Sequence, residues 1–222
     1  MGAVALIVAA GRGERLGTGR PKALVTVSGR PMLEWSVQAL RGVAAVERIV
    51  VALPGDQLAA APEGTIAVAG GMHRSQSVLA ALRASGDGDP VIVHDAARPL
   101  AAPELFLRAL AELESSGADA VVAAMPVSDT IKEVGDDGRE VARTLSRERL
   151  WSVQTPQVFR RDALLRALEA PVQTLQSATD DAWLVEAGGG TVRVVLGAAE
   201  NIKITTPVDL RVAELLLGER GQ

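Results

Sequence analysis

The stretch VALIVAAGRGERLGTGRPK, from Val4 to Lys22, decides the fold. Its first residues belong to an apolar run, residues 3–10, in which apolar and polar residues do not alternate. Such a run is expected for a strand that is covered on both faces of a parallel sheet. Glycines let backbone N–H groups approach a ligand closely, and clustered cations indicate that the ligand is an anion. The loop contains both: Gly11, Gly13, Gly17 and Gly19 with Arg12, Arg15, Arg20 and Lys22. The alternative is an ordinary turn with surface cations.

Two common phosphate-binding patterns do not fit this loop. A dinucleotide fingerprint requires a third glycine where Leu16 stands, and a Walker loop requires Ser or Thr where Ala23 follows the lysine. The next buried strand ends in Leu53 and Pro54, which offer no acid for a ribose hydroxyl. The loop therefore predicts a phosphate site of another type, with Arg15 and Lys22 as the candidate triphosphate contacts.

Composition excludes several classes of protein. The 222 residues suit one domain, 1–222, and 48% hydrophobic residues supply a core. A net charge of −4 argues against nucleic-acid binding. The lack of cysteine excludes disulfides and thiolate chemistry. Residues 3–10 are too short for a membrane span and unlike a secretory leader, so we expect a cytoplasmic protein with no membrane partner.

Strand and helix patterns alternate along the chain, which predicts a three-layer α/β fold with a mostly parallel sheet. Pro31 and Pro207 each open a predicted helix, and Thr179 is the expected N-cap of another. The predicted strands cover residues 3–10, 23–27, 47–53, 65–69, 90–94, 120–125, 191–196 and 201–205, and residues 153–159 form a core-like segment. The predicted helices cover residues 31–40, 75–84, 103–114, 161–168 and 179–187, with a last one from 206 onward.

The alternation breaks at residues 127–150, where two polar limbs flank Asp136-Asp137-Gly138. Asp-Gly is a strong hairpin signal, so this segment is predicted to be a protruding β-arm. An isolated two-stranded ribbon is marginally stable in water. We therefore favour a contact with a second subunit over a mobile flap.

Candidate chemical groups follow several predicted strands, at the edge where ligands bind in open α/β sheets. Asp95 is a hard oxygen ligand suited to Mg²⁺, although it could instead cap a turn and pair with Arg98. Lys203 stands between apolar neighbours and is either a site residue or the charge of an exposed edge strand. His94 is interpreted as structural.

A glycine-rich segment, Gly70 to Ser77, precedes another predicted helix. Its backbone amides and hydroxyls could contact a base or a sugar. A plain glycine turn with a serine cap is the alternative.

The chain resembles the 2-C-methyl-D-erythritol 4-phosphate cytidylyltransferases of the non-mevalonate isoprenoid pathway. The matching segments run in family order from Ala9 to Leu210: AAGRGERLG, RPK, GGMHRSQSV, VHDAARP, SDTIK, VQTPQVF, TDDA and NIKITTPVDL. The resemblance implies a Rossmann-like nucleotidyltransferase fold, a homodimer formed through the arm, and a Mg²⁺-dependent reaction of CTP with a polyol phosphate.

The resemblance also assigns roles to residues of this chain. Arg15, Lys22 and Lys203 would hold the triphosphate and the transition state, and Asp95 would hold Mg²⁺. The cytidine contacts would be Ala9, Ala10, Gly11, Gly71, Ser77 and Ala96. The acceptor contacts would be Arg98, Thr130, Arg147 and Thr179, with Thr130 and Arg147 serving the neighbouring subunit's site.

His73, Ala23 and Trp183 depart from the residues usual in that family, which affects the expected contacts around the base and the acceptor. Two alternative functions share the nucleotide half of the site. One is a ribitol-5-phosphate cytidylyltransferase, and the other is a nucleotide-binding regulator without catalytic activity.

Overall fold

A central sheet organises the computed structural model, which describes residues 2–11, 13, 16–17 and 19–220. The strands are β1 (Ala3–Val8), β2 (Thr26–Val27), β3 (Arg30–Pro31), β4 (Val46–Leu53), β5 (Ile66–Ala69), β6 (Val91–Asp95), β7 (Ala120–Pro126), β8 (Lys132–Val134), β9 (Val141–Thr144), β10 (Trp151–Phe159) and β11 (Val192–Leu196). The helices are α1 (Met32–Arg41), α2 (Arg74–Ala84), α3 (Pro103–Ser116), α4 (Arg161–Leu168), α5 (Val172–Ser177), α6 (Asp181–Ala187) and α7 (Pro207–Arg220).

Seven of the described strands form one sheet in the order β11-β7-β10-β6-β1-β4-β5. Strand β10 runs antiparallel to both of its neighbours, β6 and β7. The other neighbouring pairs are parallel. The predicted mostly parallel sheet is therefore confirmed, and the carboxyl ends of β1, β4, β5 and β6 share one edge.

The buried strand β1 supplies both faces of the core because successive side chains alternate across a sheet. Ala3, Ala5 and Ile7 belong to an apolar cluster with α1 and α3. Val4 and Leu6 belong to the opposite cluster, with α2, α4 and α6. Helices thus cover both faces of the sheet, which confirms the three predicted layers.

A smaller apolar cluster joins the C-terminal helix to the start of the chain. Val27, Met32 and Ala213 are fully buried there together with Ile204, which lies between β11 and α7. Because Ile204 is buried in this cluster, the neighbouring Lys203 lies at the end of the sheet. The described residues contain no helix long and apolar enough to cross a membrane.

The predicted hairpin is present as β8 and β9, which pair antiparallel. Gly135 N donates to Glu140 O at 2.9 Å, and Arg143 pairs with Glu133 at 2.7 Å. Every residue of the two strands is exposed. The contact with a second subunit, and the assignment of the whole chain to one domain, stay predictions.

One local prediction is wrong at the start of α6, and the helix before it was not predicted. Asp180, not Thr179, is the N-cap, because its Oδ1 accepts a hydrogen bond from Trp183 N at 2.8 Å. Helix α5 was not predicted: it has only six residues, and none of them is fully buried.

Candidate active site

A cavity of about 290 Å³ lies at the carboxyl edge of the sheet, where β1, β5 and β6 end. Parallel strands bring their carboxyl ends together there. All the described residues predicted to contact the nucleotide, its phosphates or the metal line it: Ala9, Ala10, Gly11, Lys22, Gly71, Ser77, Asp95, Ala96 and Lys203. The predicted triphosphate residue Arg15 lies outside the described residues.

A second cavity, of about 270 Å³, is lined by Arg98 and Thr179. Arg74, Asp95 and Lys203 line both cavities, so the two spaces meet at these three side chains. The other two predicted acceptor residues, Thr130 and Arg147, are exposed at the base of the arm and line neither cavity. This arrangement suits two ligands that react at their common boundary.

Lys22 reaches the first cavity from a tight turn. Its backbone N donates to Gly11 O at 3.2 Å, and the chain then forms a single 3₁₀ turn, Lys22–Leu24. Gly13 has φ +70, and a Cβ at this position would lie 2.7 Å from the Cβ of Lys22. Glycine is therefore needed for the loop to pass this close to the lysine.

The glycine segment before α2 packs against the first loop. A side chain at Gly70 would collide with the Cβ of Ala10. Gly71 N donates to Ser77 Oγ at 3.1 Å, and His73 N donates to Gln76 Oε1 at 3.1 Å. Ser77 therefore stabilises the turn and also lines the cavity. The segment is both a glycine turn with a serine contact and part of the wall of the cavity.

A network of alternating charges forms the boundary between the cavities. Asp95 Oδ1 accepts a hydrogen bond from Arg74 Nη1, and Asp95 Oδ2 lies 2.7 Å from Lys203 Nζ. Arg74 also donates from Nε to Asp181 Oδ2 at 3.0 Å, and its Nη2 lies 2.9 Å from the same oxygen. The alternative pairing of the Asp95 carboxylate with Arg98 is wrong, because both oxygens face other cations.

Burial and pairing set the protonation of this network. Burial alone would raise the pKa of Asp95, but Arg74 and Lys203 outweigh it and hold that pKa well below its usual range. Burial disfavours the charge of Arg74, yet Asp181 and Asp95 together raise the pKa of Arg74. Burial raises the pKa of Asp181, and Arg74 opposes that rise. Asp95 is thus an anion at neutral pH.

The backbone of Asp95 is held by a buried hydrogen-bond chain. Asp95 N donates to Thr155 Oγ1 at 3.0 Å, and the Thr155 hydroxyl lies 2.9 Å from His94 Nδ1. Arg98 O can only accept, so His94 Nε2 donates to it at 3.3 Å, and Nδ1 of the neutral ring accepts from the Thr155 hydroxyl. Burial lowers the pKa of His94 to about 4, so the ring is uncharged at neutral pH, in agreement with its predicted structural role.

The segment that carries Lys203 is not the predicted strand. Asn201 is fully buried and donates to Gln154 Oε1 at 3.0 Å and to Thr155 O at 2.8 Å. Ile204 N donates to Ala97 O at 2.9 Å. Side-chain hydrogen bonds and one loop contact replace a strand ladder, and the interpretation of Lys203 as an edge-strand charge is wrong.

Arg98 links three parts of this site. It donates to Asn201 O at 2.7 Å and to Val153 O at 3.4 Å. Burial lowers the pKa of Arg98, and its buried Nε has no hydrogen-bond partner in the part of the chain that the structure describes. Arg98 therefore supports the wall of the second cavity, to which its Nη1 and Nη2 groups donate.

Sequence reasoning missed four polar residues of this site. Arg74 lies in the motif GGMHRSQSV and Asp181 in TDDA, but their pairing joins positions 107 residues apart, which no local pattern reveals. Thr155 lies on the antiparallel strand β10. Gln157, on the same strand, donates to Asp180 Oδ2 at 2.8 Å and accepts from Ala182 N at 3.2 Å, which fixes the start of α6.

Known proteins of one family are similar to this chain along nearly its whole length. A family model described as 2-C-methyl-D-erythritol 4-phosphate cytidylyltransferase matches residues 3–219. A protein of that name from Frankia casuarinae is 49% identical over 96% of this chain and 80% of its own. One from Nocardia farcinica is 46% identical over 98% of this chain and 95% of its own.

Solved structures of proteins from this family also resemble the chain. The crystal structure of 2-C-methyl-D-erythritol 4-phosphate cytidylyltransferase from Thermus thermophilus superposes with a TM-score of 0.82 at 37% identity, covering 97% of this chain and 98% of that one. The bifunctional IspDF from Campylobacter jejuni superposes with a TM-score of 0.81 at 26% identity, covering 96% of this chain and 54% of that one. The nucleotidyltransferase fold expected from the sequence is therefore confirmed.

Proposed function

Because the chain belongs to the 2-C-methyl-D-erythritol 4-phosphate cytidylyltransferase family, we propose that it joins CTP to 2-C-methyl-D-erythritol 4-phosphate. The products are 4-diphosphocytidyl-2-C-methyl-D-erythritol and pyrophosphate, in the non-mevalonate route to isoprenoid precursors. One observation carries the proposal: two adjoining cavities share Arg74, Asp95 and Lys203 at their boundary, where a nucleotide and an acceptor phosphate would meet.

The reaction requires one bond to form and one to break. A phosphate oxygen of the acceptor attacks the α-phosphorus of CTP in line, and the bond from the α-phosphorus to the bridging oxygen of the leaving pyrophosphate breaks. An acceptor phosphate is already an anion near neutral pH, so no side chain has to remove a proton. The protein contributes by positioning the reactants and by neutralising charge.

The cationic side chains supply that neutralisation. Lys22 lies in the first cavity, where the triphosphate would bind, and Arg15 belongs to the same loop in sequence. Lys203 lines both cavities, which supports our proposal that its ammonium group contacts the α-phosphate as negative charge builds up there. The backbone at Ala9, Ala10 and Gly71 would contact the cytidine, with Ser77 beside it.

A magnesium ion fits the donor offered by Asp95. Mg²⁺ prefers hard oxygen ligands and typically takes one or two carboxylates together with substrate phosphates. Within the described ranges, no group of three or more His, Cys, Asp or Glu side chains could hold an ion without a substrate. Asp95 would therefore hold the ion jointly with CTP, and the bound ion would supply positive charge to the phosphate oxygens.

The acceptor would occupy the second cavity, beside Arg98 and Thr179. We propose that a homodimer completes this site, with Thr130 and Arg147 reaching it from the partner's arm. Two facts support this exchange of arms between subunits. The arm is exposed along both strands, and Thr130 and Arg147 line neither cavity of their own chain.

Product analysis tests the proposed function. The full chain is incubated with CTP, 2-C-methyl-D-erythritol 4-phosphate and Mg²⁺, pyrophosphate is followed over time, and the nucleotide product is identified by mass spectrometry. We expect equal amounts of pyrophosphate and the diphosphocytidyl product. Saturable CTP binding without pyrophosphate release would instead identify a regulator. Omission of Mg²⁺ in a parallel reaction tests the metal requirement.

A further inference from the structure

Arg74 is the one residue in the described part of the chain that joins two buried carboxylates from separate elements of this site. Asp95 ends β6, and Asp181 begins α6, next to Asp180, which lines the second cavity. The side chain of Asp181 is 1% exposed and that of Asp95 is 8% exposed. Neither carboxylate is well hydrated, so each depends on a cation for its stability.

The guanidinium group of Arg74 is bound to Asp181 on one side and contacts Asp95 on the other. Two of its nitrogens, Nε and Nη2, meet a single oxygen of Asp181, at 3.0 and 2.9 Å. A third, Nη1, meets Asp95 Oδ1. The planar fork of arginine can make these contacts together, whereas the ammonium of a lysine is a single point of charge. Asp181 is therefore the anchor, and Asp95 is the group that is held.

Arg74 and Lys203 share the charge of Asp95. Each cation occupies one of its two carboxylate oxygens. The side chain of Lys203 is 45% exposed towards the cavities, and that of Arg74 is 27% exposed. If Arg74 were absent, Lys203 would be left as the cation paired with a buried carboxylate, and Coulomb attraction would hold it there more strongly.

We propose that Arg74, anchored by Asp181, is a positioning residue that holds the Asp95 carboxylate and thereby leaves Lys203 available to the substrate phosphate. The inference rests on the proposed function for its effect on turnover. Its structural part, the sharing of Asp95 between two cations, does not depend on any reaction.

A pair of variants isolates this role. Arg74→Gln alone would leave Asp181 buried without a cation, and such a change often prevents folding. The test therefore compares Arg74→Gln/Asp181→Asn with Asp181→Asn, two proteins that both lack the Asp181 charge and differ only at Arg74. Arg83→Gln, an exposed position on the same helix α2, controls for loss of an arginine. Unfolding midpoints verify that each protein is folded.

Steady-state kinetics give the first measurement. We expect kcat of the double variant to be about tenfold or more below that of Asp181→Asn, a difference in barrier that one displaced charge can cause. Arg74→Lys/Asp181→Asn should recover part of this loss, because an ammonium can still pair with Asp95. A rise in KM for CTP or the acceptor with kcat unchanged would mean that Arg74 binds substrate directly, and would overturn the proposal.

Proton exchange at Lys203 gives the second measurement, and it needs no activity. The chain has three lysines, Lys22, Lys132 and Lys203, so the ammonium signals of ¹⁵N-lysine-labelled protein can be assigned by single Lys→Arg variants. Exchange of the Lys203 ammonium protons with water should be slower in the double variant than in Asp181→Asn, because the ion pair is tighter. Equal exchange rates would overturn the sharing of Asp95. If wild-type protein forms no product, only the proposed function fails.

Discussion

Lys203 Nζ lies 2.7 Å from Asp95 Oδ2, although Asp95 ends a buried strand and Lys203 belongs to an irregular segment near the C-terminus. This ion pair closes the boundary between the two cavities. In the proposed reaction, Asp95 would hold a metal and Lys203 would neutralise the α-phosphate.

Loss of either lysine is expected to slow turnover strongly. Lys22→Ala and Lys203→Ala each remove one cation from the phosphate site, and loss of one preorganised charge-stabilising donor costs on the order of 3 kcal/mol in the barrier. We therefore expect kcat to fall by ~100-fold or more. Initial rates of pyrophosphate release give this value directly.

Arg211→Ala is the control for these two variants, because Arg211 is an exposed cation on α7 away from both cavities. Its rate should match the wild type. A correctly folded Lys22→Ala or Lys203→Ala protein with normal turnover would show that its lysine does not act on the phosphates.

His94 is expected to make the protein less stable as the pH falls from about 6.5 to about 4. The pKa of His94 is lowered from 6.5 in a model peptide to about 4 in the folded chain, since burial disfavours the charged ring. Between these values the unfolded chain binds a proton that the folded chain does not, so acidification favours unfolding. At about 1.4 kcal/mol per pH unit, the free energy of unfolding should drop by up to about 3 kcal/mol.

Denaturant unfolding at several pH values measures this effect. His94→Gln should flatten the slope of stability against pH within that window, whatever its stability at neutral pH. His73→Gln is the matched control, because His73 is exposed and is the other of the two histidines. An unchanged slope in His94→Gln would mean that another group causes the pH dependence.

The proposed exchange of arms predicts that two inactive variants restore each other. In a homodimer of Arg147→Ala, each site lacks the partner's arginine, and in a homodimer of Lys22→Ala, each site lacks its own lysine. A mixed dimer places both defects in one site and leaves the other complete. Random exchange makes half of the dimers mixed, so the mixture should regain roughly a quarter of wild-type activity.

Activity is measured before and after unfolding and refolding the two variants together. The Lys22→Ala and Lys203→Ala pair is the control. Both lysines serve the site of their own chain, so each site of a mixed dimer still lacks one of them. If Arg147→Ala and Lys22→Ala regain nothing above this control, the arm does not serve the neighbouring site.

Asp209 is expected to support catalysis through the backbone. Its Oδ2 accepts hydrogen bonds from Thr205 N at 2.8 Å, Thr205 Oγ1 at 2.7 Å and Thr206 N at 2.7 Å, which holds the segment leading from Lys203 into α7. Asp209→Ala should lower stability by about 1–2 kcal/mol, as loss of a helix cap does, and should lower kcat with little change in KM for CTP.

Asp209→Asn provides the comparison, since an amide oxygen can still accept some of these hydrogen bonds. It should lie between the wild type and Asp209→Ala in both stability and kcat. An Asp209→Ala protein that loses stability and keeps its kcat would show that Lys203 is positioned independently of the cap.

The sequence was sufficient to predict the layered fold, because the strand that ends at Val8 and the helix that begins at Met32 follow simple apolar patterns. It also placed Lys22 and Asp95 at one edge, since carboxyl ends of parallel strands converge. These predictions need only local patterns and one rule of topology.

Long-range side-chain contacts could not be predicted in this way. The antiparallel direction of β10 and the bonds from Thr155 to His94 and Asp95 depend on where that strand inserts in the sheet. The alternating Ile202-Lys203-Ile204 pattern favoured a strand, but the buried side chain of Asn201 fixes the backbone by hydrogen bonds instead. The cytoplasmic location stays a prediction.

The most direct test of the account is the relative kcat/KM of the wild-type protein over a panel of substrates. CTP, UTP and ATP are each paired with 2-C-methyl-D-erythritol 4-phosphate and with ribitol 5-phosphate, and pyrophosphate release is followed in the presence of Mg²⁺. The account predicts that CTP with 2-C-methyl-D-erythritol 4-phosphate gives the highest value. A higher value for ribitol 5-phosphate, or no release with any pair while CTP still binds, would contradict it.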